Sequence, residues 1–207
     1  MTRILTIASR KGGAGKSTIA RAFAVEAAQA GASVELIDMD PQGTVRDWFG
    51  RRRGEPPQVT TAEPSTIGRA IKDARAAGRD YVFIDTPPHT DGAMTEAARL
   101  SDAVLIPVKP YPDDLVAARA TIDIVRTMRR PAVLIINAAP PRAAASGLAR
   151  SSLARFGLPV VPHDITDRIA HAYASSEGRT AAEYEPGGKA AAEVAAAWAY
   201  ITAALFS

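Results

Sequence analysis

The chain has 207 residues, of which 47% are apolar, with a formal net charge of +3 and no cysteine. This length and composition predict one folded domain over residues 1–207. The lack of cysteine excludes disulfides, thiolate metal sites and cysteine nucleophiles. No apolar run approaches the ~20 residues that a transmembrane helix needs. The N-terminal run, which Arg10 interrupts, is too short for a signal peptide, and we expect a cytoplasmic protein.

The first predicted elements are a strand, a glycine-rich loop and a helix. The apolar run Arg3–Ser9 predicts a buried strand, and the alanine-rich stretch Ser17–Ala30 predicts a helix that Gly31 ends. The glycines between them allow the backbone to curl around an anion, and the start of the helix adds positive dipole. This context predicts a loop that binds phosphate groups.

Each side chain of this loop has a predicted role. Lys16 neutralises the β- and γ-phosphates, the Ser17 hydroxyl ligates Mg²⁺ and Thr18 reaches the α-phosphate. The predicted ATP-binding residues of the segment are Lys11, Gly12, Gly13, Ala14, Gly15, Lys16, Ser17 and Thr18. The general pattern G-x-x-x-x-G-K-[ST] is not fully met, because Arg10 stands where the first glycine belongs.

Strands and helices alternate along the rest of the chain. Further strands are predicted at Ser33–Met39, Asp80–Asp85, Ala103–Val108, Ala132–Asn137 and Pro159–Val161. Further helices are predicted at Thr66–Ala77, Asp113–Arg130, Ser146–Phe156, Thr166–Ser175 and Lys189–Phe206. Residues 46–64 form the least regular stretch. The alternation predicts an α/β fold, a mostly parallel twisted sheet with helices on both faces, in which ligands bind at the carboxyl ends of the strands.

Carboxylates stand at two of these strand ends. Asp38 and Asp40 alternate along the chain, so their side chains point the same way if the strand continues through both. Asp85 follows four apolar residues and is predicted to hold Mg²⁺. A turn-forming Asp-Pro pair with a solvated carboxylate is the alternative for Asp40.

These motifs resemble those of the ParA/MinD family of P-loop ATPases. Lys11 and Lys16 match its deviant Walker A loop, K-G-G-x-G-K-[ST], and residues 38–42 match its D-x-D-P-Q motif. The resemblance implies a P-loop NTPase that uses ATP and Mg²⁺. It implies that Lys11 reaches the phosphates of the other subunit of a homodimer, and that Asp40 positions the attacking water. The residues implied in catalysis are Lys11, Lys16 and Asp40, and those near the metal are Ser17, Asp40 and Asp85.

Two further segments have open interpretations. The proline-rich stretch at residues 106–115 resembles one that lies near the nucleotide and the dimer interface in ParA proteins, although a rigid strand-to-helix turn explains it equally well. Asn137 ends a predicted strand, where related ATPases place an amide that contacts adenine. A turn asparagine is the alternative there.

The resemblance is to short ParA proteins without an N-terminal helix-turn-helix domain, since the first strand starts at residue 3. It implies slow hydrolysis stimulated by a small adaptor of ParB type, non-specific DNA binding by the ATP dimer, association with the nucleoid, and segregation of a plasmid, chromosome or protein cluster. A MinD-like membrane-cycling ATPase is the main alternative. Residues 190–207 contain no lysine or arginine, which argues against membrane attachment. Lys11 argues against a metabolic P-loop ligase.

DNA binding of this kind depends on cations that contact phosphates. The candidate residues are the cluster Arg51–Arg53, Arg142, Arg150, Arg155, Arg168 and Arg179. Nothing in the sequence chooses among them, and for any single one a solvated surface cation is the simpler interpretation. The cluster could equally contact a partner protein.

Overall fold

The computed structural model describes residues 1–141 and 144–206, which form seven strands and nine helices. The strands are β1 (Arg3–Ile7), β2 (Val34–Asp38), β3 (Gln58–Thr61), β4 (Tyr81–Asp85), β5 (Ala103–Val108), β6 (Ala132–Ala139) and β7 (Ile165–Thr166). The helices are α1 (Lys16–Gln29), α2 (Thr44–Arg51), α3 (Ile67–Ala76), α4 (Asp91–Leu100), α5 (Pro112–Thr127), α6 (Ala144–Ala154), α7 (Ile169–Ser176), α8 (Ala181–Tyr184) and α9 (Lys189–Phe206).

The strands form one sheet in the order β3-β2-β4-β1-β5-β6-β7, and all neighbouring pairs are parallel. The register pairs Ile7 of β1 with Asp85 of β4, and Asp38 of β2 with the same Asp85. Parallel pairing therefore places the ends of β1, β2 and β4 side by side. The phosphate loop follows β1, so it lies beside both strand-end carboxylates.

Alternate strand residues face two separate helix layers. On one face Leu5 and Phe83 pack against α1, α2 and α9, where Phe23 and Trp198 stack with their ring centroids 5.6 Å apart. On the other face Ile4 packs with α3 and α4, and Val104 packs with α5 and α6. Burial on both faces explains the nearly continuous apolar runs of the strands. The predicted α/β fold with helices on both faces is confirmed.

The seventh strand is not the one predicted. The segment Pro159–Val161 makes only an isolated bridge, between Val160 and Leu134, and β7 lies at Ile165–Thr166. The helix predicted at Thr166–Ser175 consequently begins later, at Ile169. Thr166 of β7 pairs with Ala139 of β6. The backbone N–H and the hydroxyl of Thr166 donate to the carboxylate of Glu193 at 3.0 and 2.9 Å.

The least regular stretch of the sequence contains a helix and an edge strand. Helix α2 buries two apolar side chains, Val45 and Trp48, and Asp38 accepts the backbone N–H of Arg46 in its first turn. Strand β3 has exposed or half-buried side chains only, so it lacks an apolar pattern. Helices α4 and α8 are likewise additions to the predicted elements.

The helices of the described residues differ from membrane-spanning helices in length or in apolar character. None in residues 1–141 or 144–206 is both long and apolar enough to span a bilayer.

Candidate functional site

The glycine-rich loop forms a tight turn against β6. Gly13 and Gly15 have φ of +73° and +86°, in the left-handed region that favours glycine. The Asn137 amide Nδ2 donates to the Ala14 carbonyl oxygen at 2.8 Å. A Cβ atom on Gly15 would lie 2.1 Å from Nδ2. Only glycine fits this position, because both the backbone conformation and the close amide exclude a side chain.

Lys16 occupies the first turn of α1 with 6% of its surface exposed. Its Nζ atom donates weakly to the Lys11 carbonyl oxygen, at 3.5 Å. Burial lowers the pKa of Lys16, while the nearby carboxylates of Asp85 and Asp40 raise it. A buried ammonium that has no direct ion pair among the described residues is suited to bind a phosphate group.

The Lys11 side chain pairs with the start of α5. Its Nζ atom lies 2.8 Å from Asp114 Oδ2, and the two side chains are 34% and 8% exposed. Pro112 opens α5, and the backbone N–H of Asp114 donates to the Tyr111 carbonyl oxygen. The proline-rich stretch therefore both turns the chain into a helix and holds Lys11. The sequence analysis did not predict this pairing, which joins residues 103 positions apart.

Asp38 and Asp40 have different surroundings. Asp38 is buried, and its two oxygens accept the backbone N–H groups of Asp40 and Arg46 at 3.0 Å each. Burial raises the pKa of Asp38, and these hydrogen bonds oppose the shift. Asp40 is half-buried and accepts the N–H of Gln42 at 3.0 Å. Strand β2 ends at Asp38, so a turn and not strand alternation sets the direction of Asp40.

Asp85 is fully buried at the end of β4. Neither carboxylate oxygen has a hydrogen-bond partner of normal geometry among the described residues. Burial raises the pKa of Asp85 to about 7, against the opposing influence of the Ser17 hydroxyl and the Lys16 ammonium. A carboxylate that is buried without partners is costly unless a cation satisfies it.

The donor set fits a magnesium ion that is shared with a nucleotide. The hydroxyl of Ser17 and the orphaned carboxylate of Asp85 are hard oxygen ligands, which Mg²⁺ prefers. No group of three or more His, Cys, Asp or Glu side chains in residues 1–141 and 144–206 is arranged to hold a metal. Phosphate oxygens and waters would have to supply the remaining ligands, as is usual for Mg²⁺ at phosphate sites.

The segment after Asp85 is tied to the phosphate loop. Thr86 donates its hydroxyl to the Ile7 carbonyl oxygen at 2.9 Å, and the His89 N–H donates to the Arg10 carbonyl oxygen at 3.1 Å. An exposed ion pair joins Arg10 Nε to Asp91 at 2.9 Å. One hydroxyl-to-backbone bond and one backbone-to-backbone bond therefore join this segment to the end of β1 and to the phosphate loop.

A cleft of about 340 Å³ opens beside the loop, between β6 and α7. Gly13, Thr18, Asn137 and His171 are among the residues that line it. One N–H of Asn137 Nδ2 is bonded to Ala14, which leaves its second N–H and its Oδ1 atom as groups that a ligand could contact. The contact of Asn137 with adenine stays a prediction. The Nε2 atom of His171 is buried and has no partner in the described residues, and burial lowers the pKa of this imidazole.

Arg21 is a residue of this site that the sequence interpretation missed. It lies on α1 one turn after Ser17 and is 7% exposed. Its neighbours in sequence are apolar, and the one signal was a charged residue within the apolar run Ile19–Val25. A cation in such a run needs internal hydrogen-bond partners, and Arg21 has them.

The structure separates the candidate arginines into partly or fully buried side chains that are held in ion pairs and exposed side chains, of which Arg179 also lies 3.5 Å from Glu177. Arg52 is a wrong candidate for surface contact, because its side chain is 2% exposed and pairs with Glu183 at 2.7 Å. Arg150 pairs with Asp164, and Arg168 pairs with Glu193. The remaining candidates are exposed, namely Arg51, Arg53, Arg155 and Arg179. Arg142 lies outside the described residues.

A glycine-rich turn between a parallel strand and a helix, above strand-end carboxylates, defines a P-loop nucleotide-binding protein. Residues 5–181 match the family model described as the CobQ/CobB/MinD/ParA nucleotide binding domain. The match covers most of the chain, and the protein belongs to this family, whose MinD and ParA members are P-loop ATPases.

Individual relatives support this assignment. The chain is 31% identical over 198 residues to the "maintenance of carboxysome distribution protein A" of Halothiobacillus neapolitanus, covering 91% of each chain. It is 28% identical to the chromosome-partitioning ATPase Soj of Thermus thermophilus, covering 89% of each. The fold is similar to MinD from Pyrococcus horikoshii, solved with Mg-ADP, at a TM-score of 0.77 and 18% identity, covering 97% of this chain and 96% of that one.

Proposed function

We propose that the protein is an ATPase that dimerises on ATP, binds DNA non-specifically and positions a large cargo over the nucleoid in the cytoplasm. The cargo is a plasmid, a chromosome or a protein cluster. The relative named for carboxysome distribution favours a protein cluster, and Soj favours DNA. A small adaptor protein, of ParB type or with an equivalent role, stimulates hydrolysis.

The observation that carries the proposal is that the two lysines of one loop have different surroundings. Lys16 is buried in the phosphate cradle, whereas Lys11 turns outward and is held by Asp114 through one ion pair. A lysine on the outside of its own cradle can exchange that pair for the phosphates of a second subunit. Such a cation supplied by a partner acts like an arginine finger and makes hydrolysis depend on association.

The remaining residues of the site have the roles expected for phosphoryl transfer. Lys16 binds the β- and γ-phosphates, and Asp40, which is half-buried and near Lys16, orients the attacking water. Ser17 and Asp85 would hold Mg²⁺, which supplies charge neutralisation at the phosphate oxygens when bound. Phosphoryl transfer depends mainly on positioning and charge, so no covalent intermediate with the protein is needed.

Two measurements test the proposal. The full-length protein is sedimented with duplex DNA and with liposomes of anionic lipid, each with ATP or ADP. Retention on DNA that requires ATP supports it, and ATP-dependent retention on liposomes alone would show a membrane-cycling ATPase instead. In a turnover assay, Lys16→Ala and Asp40→Ala should each abolish hydrolysis, whereas the exposed control Arg75→Ala should not. Full turnover by either site variant would overturn the site.

A further inference from the structure

Arg21 is bonded to the part of the helix that meets the phosphates. Its Nε atom donates to the Ser17 carbonyl oxygen at 3.0 Å, and its Nη2 atom donates to Thr18 Oγ1 at 3.4 Å. Thr18 is the residue expected to contact the α-phosphate. One edge of the Arg21 guanidinium therefore borders the nucleotide site without lying in the glycine cradle.

The other edge of the guanidinium reaches α7. Nη1 donates to Ser175 Oγ at 2.9 Å, across 154 residues of sequence. The carbonyl oxygen of the same Ser175 accepts a hydrogen bond from Nε of Arg51 at 3.3 Å. Ser175 thus connects the buried Arg21 with the exposed Arg51 at the end of α2.

A second route runs through the indole of Trp48, which is fully buried. The guanidinium carbons of Arg21 and Arg52 lie 5.6 and 4.6 Å from the ring centroid, both within the range of a cation–π contact. Trp48 Nε1 donates to the Arg179 carbonyl oxygen at 3.0 Å. Through this ring, Arg21 is packed against the backbone that carries Arg179.

The contact between α2 and the α7–α8 turn leaves little freedom. A Cβ atom on Gly178 would lie 2.6 Å from the backbone carbon of Arg51, and Arg52 Nη1 donates to the Gly178 carbonyl oxygen at 2.9 Å. Elements packed this closely move together. A shift of Ser175 or Trp48 would therefore be shared by Arg51, Arg53 and Arg179, which line one cleft of about 600 Å³.

The charges around Arg21 also connect the phosphate site with the exposed arginines. Burial lowers the pKa of Arg21 to about 10, which still leaves it a cation near neutral pH. Asp85 and Asp38 attract it and Arg51 repels it. Arg21 therefore lies within electrostatic range of both the strand-end carboxylates of the phosphate site and the exposed Arg51.

We propose that Arg21 is a positioning residue that couples occupancy of the nucleotide site, through Thr18, to the placement of Arg51, Arg53 and Arg179. A phosphate bound at Thr18 fixes the orientation of the Thr18 hydroxyl. The fixed hydroxyl restricts the Arg21 guanidinium, which in turn restricts Ser175 and Trp48. The inference rests on the proposed function for the identity of the ligand, which is the phosphate backbone of DNA.

The test uses the full-length protein with a non-hydrolysable ATP analogue. Arg21→Lys keeps the charge but cannot hold Thr18 and Ser175 together, and Ser175→Ala removes only the far bond. Arg75→Lys, on an exposed arginine of α3, is the matched control. The affinity for a random-sequence duplex is measured with and without analogue, at equal dimer fraction as found by light scattering. Hydrogen exchange of residues 44–52 and 169–179 is followed in parallel.

The wild-type protein and Arg75→Lys should bind DNA roughly 5- to 150-fold more tightly with the analogue, the usual range of allosteric coupling. Arg21→Lys should bring this ratio to about twofold or less, and should lose the protection of residues 169–179 by the analogue. Ser175→Ala leaves the route through Trp48 intact, so it should lower the ratio by a smaller factor. Full coupling in Arg21→Lys would overturn the inference, because the paired hydrogen bonds would then be unnecessary.

The exchange measurement separates this inference from the proposed function. If the wild-type protein binds no DNA with either nucleotide state, DNA binding is wrong as a function. Analogue-dependent protection of residues 169–179 that Arg21→Lys abolishes would still support the coupling. Absence of that protection in the wild-type protein would overturn it.

Discussion

At the scale of single residues, Asp85 ties the stability of the protein to pH. Its pKa is about 7 in the folded chain and 3.8 for an ordinary aspartate. Between about pH 4 and pH 7 the folded protein keeps a proton that the unfolded chain has released, so the stability of the nucleotide-free protein falls as pH rises through this window. Asp85→Asn removes this titration, and its thermal midpoint should fall less over the same window. Parallel pH profiles for the two proteins would contradict the assignment.

A second prediction at this scale concerns the partner of Lys11. If Lys11 must leave Asp114 to reach a second subunit, Asp114→Asn should favour the ATP dimer by about two- to fivefold, the worth of a partly exposed ion pair. Lys11→Ala should abolish hydrolysis. Sedimentation velocity with a non-hydrolysable analogue measures the dimer constant. A dimer that Asp114→Asn weakens as much as Lys11→Ala would mean that the pair supports the interface itself.

At the scale of elements, the attachment of α2 to α8 depends on a buried ion pair. Arg52 and Glu183 are 2% and 14% exposed, with contacts of 2.7 and 2.9 Å. Removing one partner leaves the other charge buried, so Arg52→Ala should lower the free energy of unfolding by about 3–5 kcal/mol. Arg155→Ala, on an exposed arginine, should change it by less than about 0.5 kcal/mol. Urea denaturation measures both, and equal midpoints would contradict the buried pair.

The elements that sequence patterns revealed are those with local signals. Strand β1, the glycine loop and α1 follow one another with an apolar run, glycines and an alanine-rich stretch, and their placement needs no distant contact. Helix α2 depends instead on a carboxylate from β2, and β3 depends on pairing with β2 at the sheet edge. Neither contact leaves a pattern within the segment itself, so both elements were missed.

The residues of the site also divide into those with local sequence signals and those placed by distant contacts. The glycines, Lys16 and Asp85 stand at fixed offsets from strand ends, so spacing predicted where they lie. The pair of Lys11 and Asp114 spans 103 residues, and the bond from Arg21 to Ser175 spans 154. Contacts at such separations are set by how helices pack on the sheet, which no local pattern records.

At the scale of the whole molecule, the phosphate site and the exposed arginines occupy different parts of the fold. The phosphate loop lies at the carboxyl ends of β1 and β4, whereas Arg51, Arg53 and Arg179 lie at the outer edge of α2 and the α7–α8 turn. The three arginines share a cleft with Glu55 and Glu177, so the carboxylates offset part of the positive electrostatic potential of the cleft. Two such clefts on one dimer would double the number of cations that face a DNA duplex, which explains why association would strengthen binding.

The salt dependence of DNA binding tests this placement directly. Each arginine that neutralises a phosphate contributes about 0.9 to the slope of log affinity against log salt concentration. Because a dimer carries two copies of each arginine, Arg51→Ala, Arg53→Ala and Arg179→Ala should each lower the slope of the dimer by about twice that amount in the presence of a non-hydrolysable analogue. The change should be equal for two unrelated duplexes, since phosphate contacts carry no sequence information. Arg75→Ala, far from the cleft on α3, should leave the slope unchanged. Fluorescence anisotropy of labelled duplexes over a salt series gives these slopes. A triple variant with the wild-type slope would place the DNA on another face of the protein, because loss of three phosphate contacts in each subunit cannot leave counterion release unaltered.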